Sequence, residues 1–437
     1  GKGIPEPYRQ WIEVEEDDSG RPQVRLRIPM PLPSHLLGEN RKGVLRSGSG
    51  ENARTLSIDF TERVGHYHMA PLGLVLYAKG KELATDLGYM GASHFMTVDW
   101  IKTFPAHNTL AIRAEDGDPM DTESLRGDVR YFKDLPGVKA MDAAEQDAVE
   151  LDKVPGTDRY QRTVAMIDVD EDDAYVVDVF RANGGTLHDW TFHSNGHRFE
   201  TEGIELTDLA DAEETLYDYS GFSFTPSRRT PGRGARWGSQ RVDRLKVDRS
   251  SGPWTATWGD VTEFPSEDGT PEVDPEVFLK LHMLDGDGTE VIAGTGPAQR
   301  WLSNRDLGEE MTVVTVRRKG GTDLDSFVAV HEPYRGTAYI TEVERLDLPG
   351  DPETVAVRVA HRLGTDLILS TNTTDGASEG KRAAADGHAL ETDGELAVAS
   401  FDDQGLRSIS VIGGTFAEAD GHKVETVATV EGLLLGF

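Results

Sequence analysis

The sequence contains no cysteine. Disulfides and thiolate metal ligands are therefore excluded, and any firmly held transition metal must rest on histidine and carboxylate. Lysine is scarce, with 13 lysines beside 32 arginines in 437 residues. No stretch approaches the ~20 consecutive apolar residues that a membrane-spanning helix needs. The longest apolar runs, such as 72–78, have the length of a strand. The chain opens Gly1-Lys2-Gly3 without an initiator methionine or a basic and apolar leader, so it is expected to begin inside a longer product.

Positive charge is the other deficit. Lys and Arg total 45 against 77 Asp and Glu, a formal net charge of −32. That balance argues against nucleic acid and anionic membranes as partners. It also makes long-range steering of a polyanion repulsive. High salt removes the repulsion, because the screening length falls to about 3 Å at 1 M. An acidic, lysine-poor chain fits a halophilic source, or an ordinary acidic secreted protein from a GC-rich genome.

Strand signals dominate what is present. Segments 57–60, 72–78, 109–113, 162–168, 174–180, 278–283, 290–294, 311–317, 327–331, 338–343, 354–360, 366–370 and 396–401 are rich in β-branched and aromatic residues, and many alternate apolar with polar positions. Gly-containing turn signals punctuate them at Asp116-Gly117, Asn183-Gly184, Asp285–Gly288, Gly320-Gly321 and Asp393-Gly394. Helices are expected only near 141–151 and 206–216. Many short strands with frequent turns predict an all-β fold, a large antiparallel β-sandwich followed by a smaller C-terminal one. Composition suggests a Pro-rich lead-in over 1–45, a main β domain over 46–345 and a smaller β domain over 346–437, with Leu346–Glu353 as a linker. The one basic run, 222–240, reads as a solvated Pro/Gly loop, with a substrate-facing loop as the alternative.

The chemistry concentrates in 60–113. Gly65-His66-Tyr67-His68 places two imidazoles on one face of an extended strand. Asp86 and His107 follow on neighbouring segments, and together they offer an N/N/O donor set suited to zinc with a fourth position open. On chemistry alone a hydrogen-bonded histidine pair fits the same pattern, and Asp86 reads equally as a turn residue ahead of Gly88.

Three motifs together extend this reading: Gly65-His66-Tyr67-His68, the stretch 77–89 ending Ala84-Thr85-Asp86-Leu87-Gly88-Tyr89, and the stretch 100–110 ending His107-Asn108-Thr109-Leu110. In these the sequence resembles the heparinase II/III-like polysaccharide lyases, from about residue 45 to near the C-terminus. The resemblance implies an N-terminal α/α toroid, in cis or as a separate chain, followed by β-sandwich domains with the active site between them. It implies His68, Asp86 and His107 as ligands of a structural Zn2+, and His66 as the histidine of the catalytic cleft. It implies an anionic, uronate-containing polysaccharide as substrate, cleaved by β-elimination, and a secreted, periplasmic or cell-surface location. The family's principal tyrosine belongs to the toroid. One departure stands out: Ala70 occupies a slot that is often acidic in the family, so any carboxylate orienting His68 must come from elsewhere. The alternative function is a non-catalytic carbohydrate-binding or structural β-sandwich with a vestigial metal site.

Tyr67, Tyr89 and Trp100 flank the motifs and offer rings for stacking on sugars, or for core packing. Asp168–Asp173 reads as an acidic hairpin turn, with Ca2+ as the lesser possibility because calcium needs a cage of six to eight oxygens. His188, His193 and His197 cluster within ten residues, where strand alternation could place two of them near a site, but they read as dispersed surface histidines.

Overall fold

A computed structural model describes residues 12–16, 22–26, 33–38, 41–60, 68, 70–88, 96–114, 127–145, 156–211, 213–222, 238–249, 252–262, 273–284, 288–298, 310–351, 353–371, 380–430 and 433–436. Among these the chain is almost entirely antiparallel strand. His66, Tyr67, Tyr89 and most of the basic run lie outside the described residues.

Two long strands form the spine, Ala174–His193 and Glu310–Arg335. They pair from Val176↔His331 to His193↔Val313 at the heart of the largest sheet. Asn183-Gly184 and Gly320-Gly321, expected as turns, lie inside these strands instead. Gly184 pairs with Gly321, and the register shifts on both sides of Gly184. Gly184 adopts φ +89, and a Cβ there would stand 2.1 Å from the Thr157 hydroxyl. Only glycine tolerates both conditions. The glycines therefore bend a continuous ribbon, and chain reversal happens elsewhere.

The first half of the ribbon is buried on both faces. Val176 and Phe180 pack towards Leu56, Leu74 and Leu76 of the five-stranded sheet over residues 35–84. Tyr175, Val177 and Val179 face Val357, Val359, Ile368 and Val398 of a six-stranded C-terminal sheet. That second sheet covers its far side with a four-stranded sheet through Leu367, Leu369, Leu390 and Ala417. The result is a stack of layers, and it explains why 174–180 reads as an unbroken apolar run. Trp190, Phe192, Trp258 and Leu281 continue the main core into the second half of the ribbon.

Each strand segment expected from the sequence falls on an observed strand. The helix expected at 141–151 does not form where it is described. Met141 sits in strand Val138–Glu145, paired with Phe132 on one side and Val164 on the other, so two flanking strands override the helix propensity of an Ala-rich segment. In 206–216, Thr207–Asp208 pairs with Lys246-Val247, and the only helical turn among the described residues is Leu216–Tyr219, closed by a capping box between Thr215 and Asp218. Strands His35–Leu37 and Lys42–Ser47 join the sheet of Arg54–Asp59, which straddles the position taken as the end of the lead-in. The C-terminal sheet begins at Ile340–Leu346, ahead of the expected linker.

Candidate metal centre

The three expected ligands come from one end of a β-hairpin and from the strand lead-in beside it. His68 precedes strand Gly73–Ala78, Asp86 follows strand Lys81–Ala84, and His107 ends the short 3-10 turn Phe104–Ala106 before strand Leu110–Arg113. Antiparallel pairing of the first two strands returns Asp86 to the level at which His68 enters. The donor atoms of all three lie within 4.8 Å of one another. Asp86 Oδ2 stands 3.4 Å from His107 Nδ1 and 3.6 Å from His68 Nδ1. Two donors bound at about 2.0–2.1 Å to one tetrahedral ion stand about 3.3 Å apart, so the spacing fits zinc.

The hydrogen bonding points the same way. His107 is buried, and its Nε2 donates to the Ile101 carbonyl at 2.8 Å. That carbonyl is set by a single π-helical turn, Thr97–Ile101. Since a carbonyl only accepts, Nδ1 of a neutral His107 directs its lone pair at Asp86. Asp86 divides its two oxygens. Oδ1 accepts the Gly88 N–H at 2.9 Å, an Asx turn that Gly88 permits with φ +72, while Oδ2 faces the histidines. The turn reading of Asp86 is realised, and Oδ2 is left in the position that the ligand reading requires. Burial pushes the Asp86 carboxyl up, but wherever the facing imidazoles carry positive charge, His107 and then His68 outweigh it and hold the group well below the usual carboxylate range. The Asp86 side chain is nonetheless 42% exposed and that of His68 15%, so the cluster opens to solvent on that side, where a fourth ligand has room.

A buried polar frame holds the peptide segments that carry these groups. Arg162, 1% exposed, grips Asp178 with two hydrogen bonds and donates from Nη1 to the carbonyls of Leu72 and Asn108, both at 2.7 Å. Leu72 is held at φ +54, an uncommon conformation for a branched residue, directly behind the His68 segment. Burial raises the Asp178 carboxyl, yet Arg162 and then His331 bring it down to about 2. The Asn108 amide donates to the Leu74 carbonyl, and its oxygen accepts from the His193 backbone. The Thr109 hydroxyl donates to the Pro71 carbonyl, and the Tyr160 hydroxyl donates to that of Leu110. In His107-Asn108-Thr109, one residue thus joins the candidate ligand cluster and two are locks.

Two expectations need correction. Trp100 is fully buried, packs in a satellite core with Leu87, Met96 and Val313, and donates its indole N–H to Pro297. It leaves no face for a sugar. His188 and His193 are not surface residues but fully buried, while His197 is exposed. For His193 the lesser reading, a place near the site, is the one observed. Its Nε2 faces the Ala106 carbonyl at 3.0 Å and its Nδ1 has no hydrogen-bond partner among the described residues. Burial pushes its pKa down to about 4, so the ring is neutral beside the ligand cluster. The acidic hairpin forms as expected, and Arg362 and Lys79 bind its Asp170 and Asp173.

A layered antiparallel β-sandwich with a His/Asp/His cluster on one hairpin end defines the class. Within it, residues 53–280 match the family described as Heparinase II/III-like, C-terminal, just over half of the chain. The chain belongs to that family. No curated protein sequence matches it. Among solved structures, it is similar to heparan sulfate lyase HepC from Pedobacter heparinus at 15% identity and a TM-score of 0.50, covering 79% of this chain and 43% of that one. A mutant of the same lyase gives 14% identity and 0.51, covering 80% and 44%. A heparinase III gene product gives 11% and 0.50, covering 79% and 43%. At these identities the likeness establishes the fold. The chain spans less than half the length of these solved proteins.

Proposed function

We propose that this chain is the β-sandwich part of a polysaccharide lyase that cleaves uronate-containing polysaccharide by β-elimination and works with an α/α toroid, in cis or as a separate chain. The observation that carries the reading is the His68/Asp86/His107 cluster, brought together from the three family motifs on the open end of one hairpin. The solved proteins of similar fold include heparan sulfate lyases, which supports a uronate substrate.

In the reaction, a base removes the proton at C5 of the uronate. The electron pair forms the C4=C5 double bond as the C4–O4 bond breaks, and an acid protonates the leaving O4. The C5 proton is weakly acidic, so the carboxylate must be neutralised by nearby donors or positive charge as negative charge builds on it. His66, two residues before His68, takes the neutralising or proton-transfer role. His68, Asp86 and His107 would hold a zinc ion, which would supply structure rather than chemistry. Polysaccharides of this kind lie outside the cell, hence a secreted, periplasmic or cell-surface location. The net charge of −32 repels such a substrate, so turnover should rise with ionic strength before it falls.

The test is ultraviolet detection of unsaturated uronate ends when the chain, alone and supplied with its toroid, meets heparan sulfate and other uronans. Turnover abolished by His66→Ala with the metal content unchanged supports the reading. Intact polysaccharide in every case, with the toroid present, sinks it and leaves a carbohydrate-binding module.

A further inference from the structure

A cleft of about 720 Å³ opens at the far end of the hairpin that carries the metal cluster. Asp86 follows one end of strand Lys81–Ala84, and the cleft begins at Lys81, so roughly 15 Å of strand separates them at about 3.3 Å per residue. Its walls come from segments that join strands of three sheets: the hairpin turn at Tyr77–Lys81, the acidic turn at Asp172-Asp173, Arg335 at the end of the long strand, and Arg362 in the turn between strands Val355–His361 and Gly364–Ser370 of the C-terminal sheet.

The polar groups arrive already neutralised. Lys79 and Arg362 share Asp173. Arg335 binds Asp274 at 2.9 Å, and Lys81 stands 3.7 Å from the same carboxylate. The Asn52 amide donates to Asp172 at 2.5 Å. Arg362 also binds Asp170, and Glu51 and Asp172 line the cleft, so among the described residues the cleft sets these four cations against five carboxylates and offers no uncompensated positive field to an anion. It does offer donors and acceptors side by side, with the Arg335 and Arg362 side chains 46% and 40% exposed. A hydroxyl group, which donates and accepts at once, matches such a lining where a carboxylate or sulfate does not. Apolar surface is also present. Tyr77 lines the cleft at 39% exposure, and Leu363 at 41% and Val273 at 48% adjoin the cleft residue Arg362 and the paired Asp274. A ring of this kind is suited to lie against the C–H face of a pyranose.

We propose that this cleft is a non-catalytic glycan-binding subsite that reads the hydroxyls of neutral sugar units, with Tyr77 as its stacking platform. Titration calorimetry of the chain against neutral hexasaccharides of glucose, xylose, mannose and galactose, and against a heparan sulfate hexasaccharide, tests this. The expected result is binding of a neutral hexasaccharide that depends little on salt, is weakened about tenfold by Tyr77→Ala and kept within about twofold by Tyr77→Phe. Tyr77→Ala, at an exposed position, should leave the melting curve, metal content and any lyase turnover unchanged, so failure of the lyase reading and failure of this one are told apart. Absence of binding to all the neutral sugars overturns the proposal. So does equal affinity in Tyr77→Ala, or binding confined to the sulfated sugar and lost steeply with salt.

Discussion

His107 holds Nδ1 3.4 Å from Asp86 Oδ2 while its Nε2 is committed to the Ile101 carbonyl at 2.8 Å. In a neutral ring, two accepting atoms then face each other, and a shared cation resolves the conflict. Elemental analysis of the purified chain should find about one zinc per chain. His68→Ala, Asp86→Asn and His107→Ala should each lose it. Chelation should lower the melting temperature by several degrees, since a ligand at a thousandfold excess over its Kd stabilises the native state by about 4 kcal/mol. An unchanged melting curve after complete metal removal would argue against a structural ion.

Gly88→Ala tests the division of labour within Asp86. The position has open space around it, so the cost is conformational, about 1 kcal/mol for a side chain held at φ +72. Relaxing that strain moves the N–H that anchors Oδ1. Zinc affinity, measured by competition with a chromophoric chelator, should fall more than the modest loss of stability explains. Equal affinity in the variant would show that the Asx turn does not orient the ligand.

Arg162→Met removes the cation that joins Asp178 to the Leu72 and Asn108 carbonyls. Deleting one partner of a buried pair costs about 3–5 kcal/mol, so denaturant melts should show a large loss. Asp178→Asn should cost a similar amount by leaving the guanidinium uncompensated. A loss below about 1 kcal/mol in both would mean the pair is dispensable.

The same pair predicts acid sensitivity. The folded pKa of Asp178, about 2, lies below the value of about 3.9 expected in the unfolded chain. Its contribution is fully present above about pH 4 and is lost as the pH falls through about 2, because the unfolded state then binds the proton more readily. The full shift is worth about 2–3 kcal/mol. Wild type should lose stability across that window, and Asp178→Asn, already destabilised at neutral pH, should show a flatter profile there.

Most of the strand framework was legible because the segments alternate or run apolar without interruption, and both patterns report burial directly. Met141-Asp142-Ala143-Ala144 misled because propensity is local, whereas its two pairing partners lie elsewhere in the chain. Asn183-Gly184 and Gly320-Gly321 misled for a related reason. Glycine signals unusual backbone, and sequence does not say whether that backbone turns or merely bends against another glycine. The proximity of His68, Asp86 and His107 was expected from motif resemblance, with the spacing of His66 and His68 as weak independent support. Arg162 and Asp178 were invisible as supports of the site, since their roles exist only once strands distant in sequence lie side by side, and His193 was one of three clustered histidines whose place near a site was only the lesser reading. Trp100 was misplaced because a tryptophan beside a functional motif carries no label for the side it faces.

The bent ribbon of Ala174–His193 and Glu310–Arg335 has a consequence for how the molecule comes apart. Odd-numbered and even-numbered side chains of 175–180 belong to different cores, one shared with the N-terminal sheet and one with the C-terminal sheet. Neither outer layer can detach without baring a full face of the same strands, which an isolated fragment ending near 345 would present to water as an adhesive surface. Both outer sheets therefore lean on the same strands, and a cut near 345 would strip one face of them.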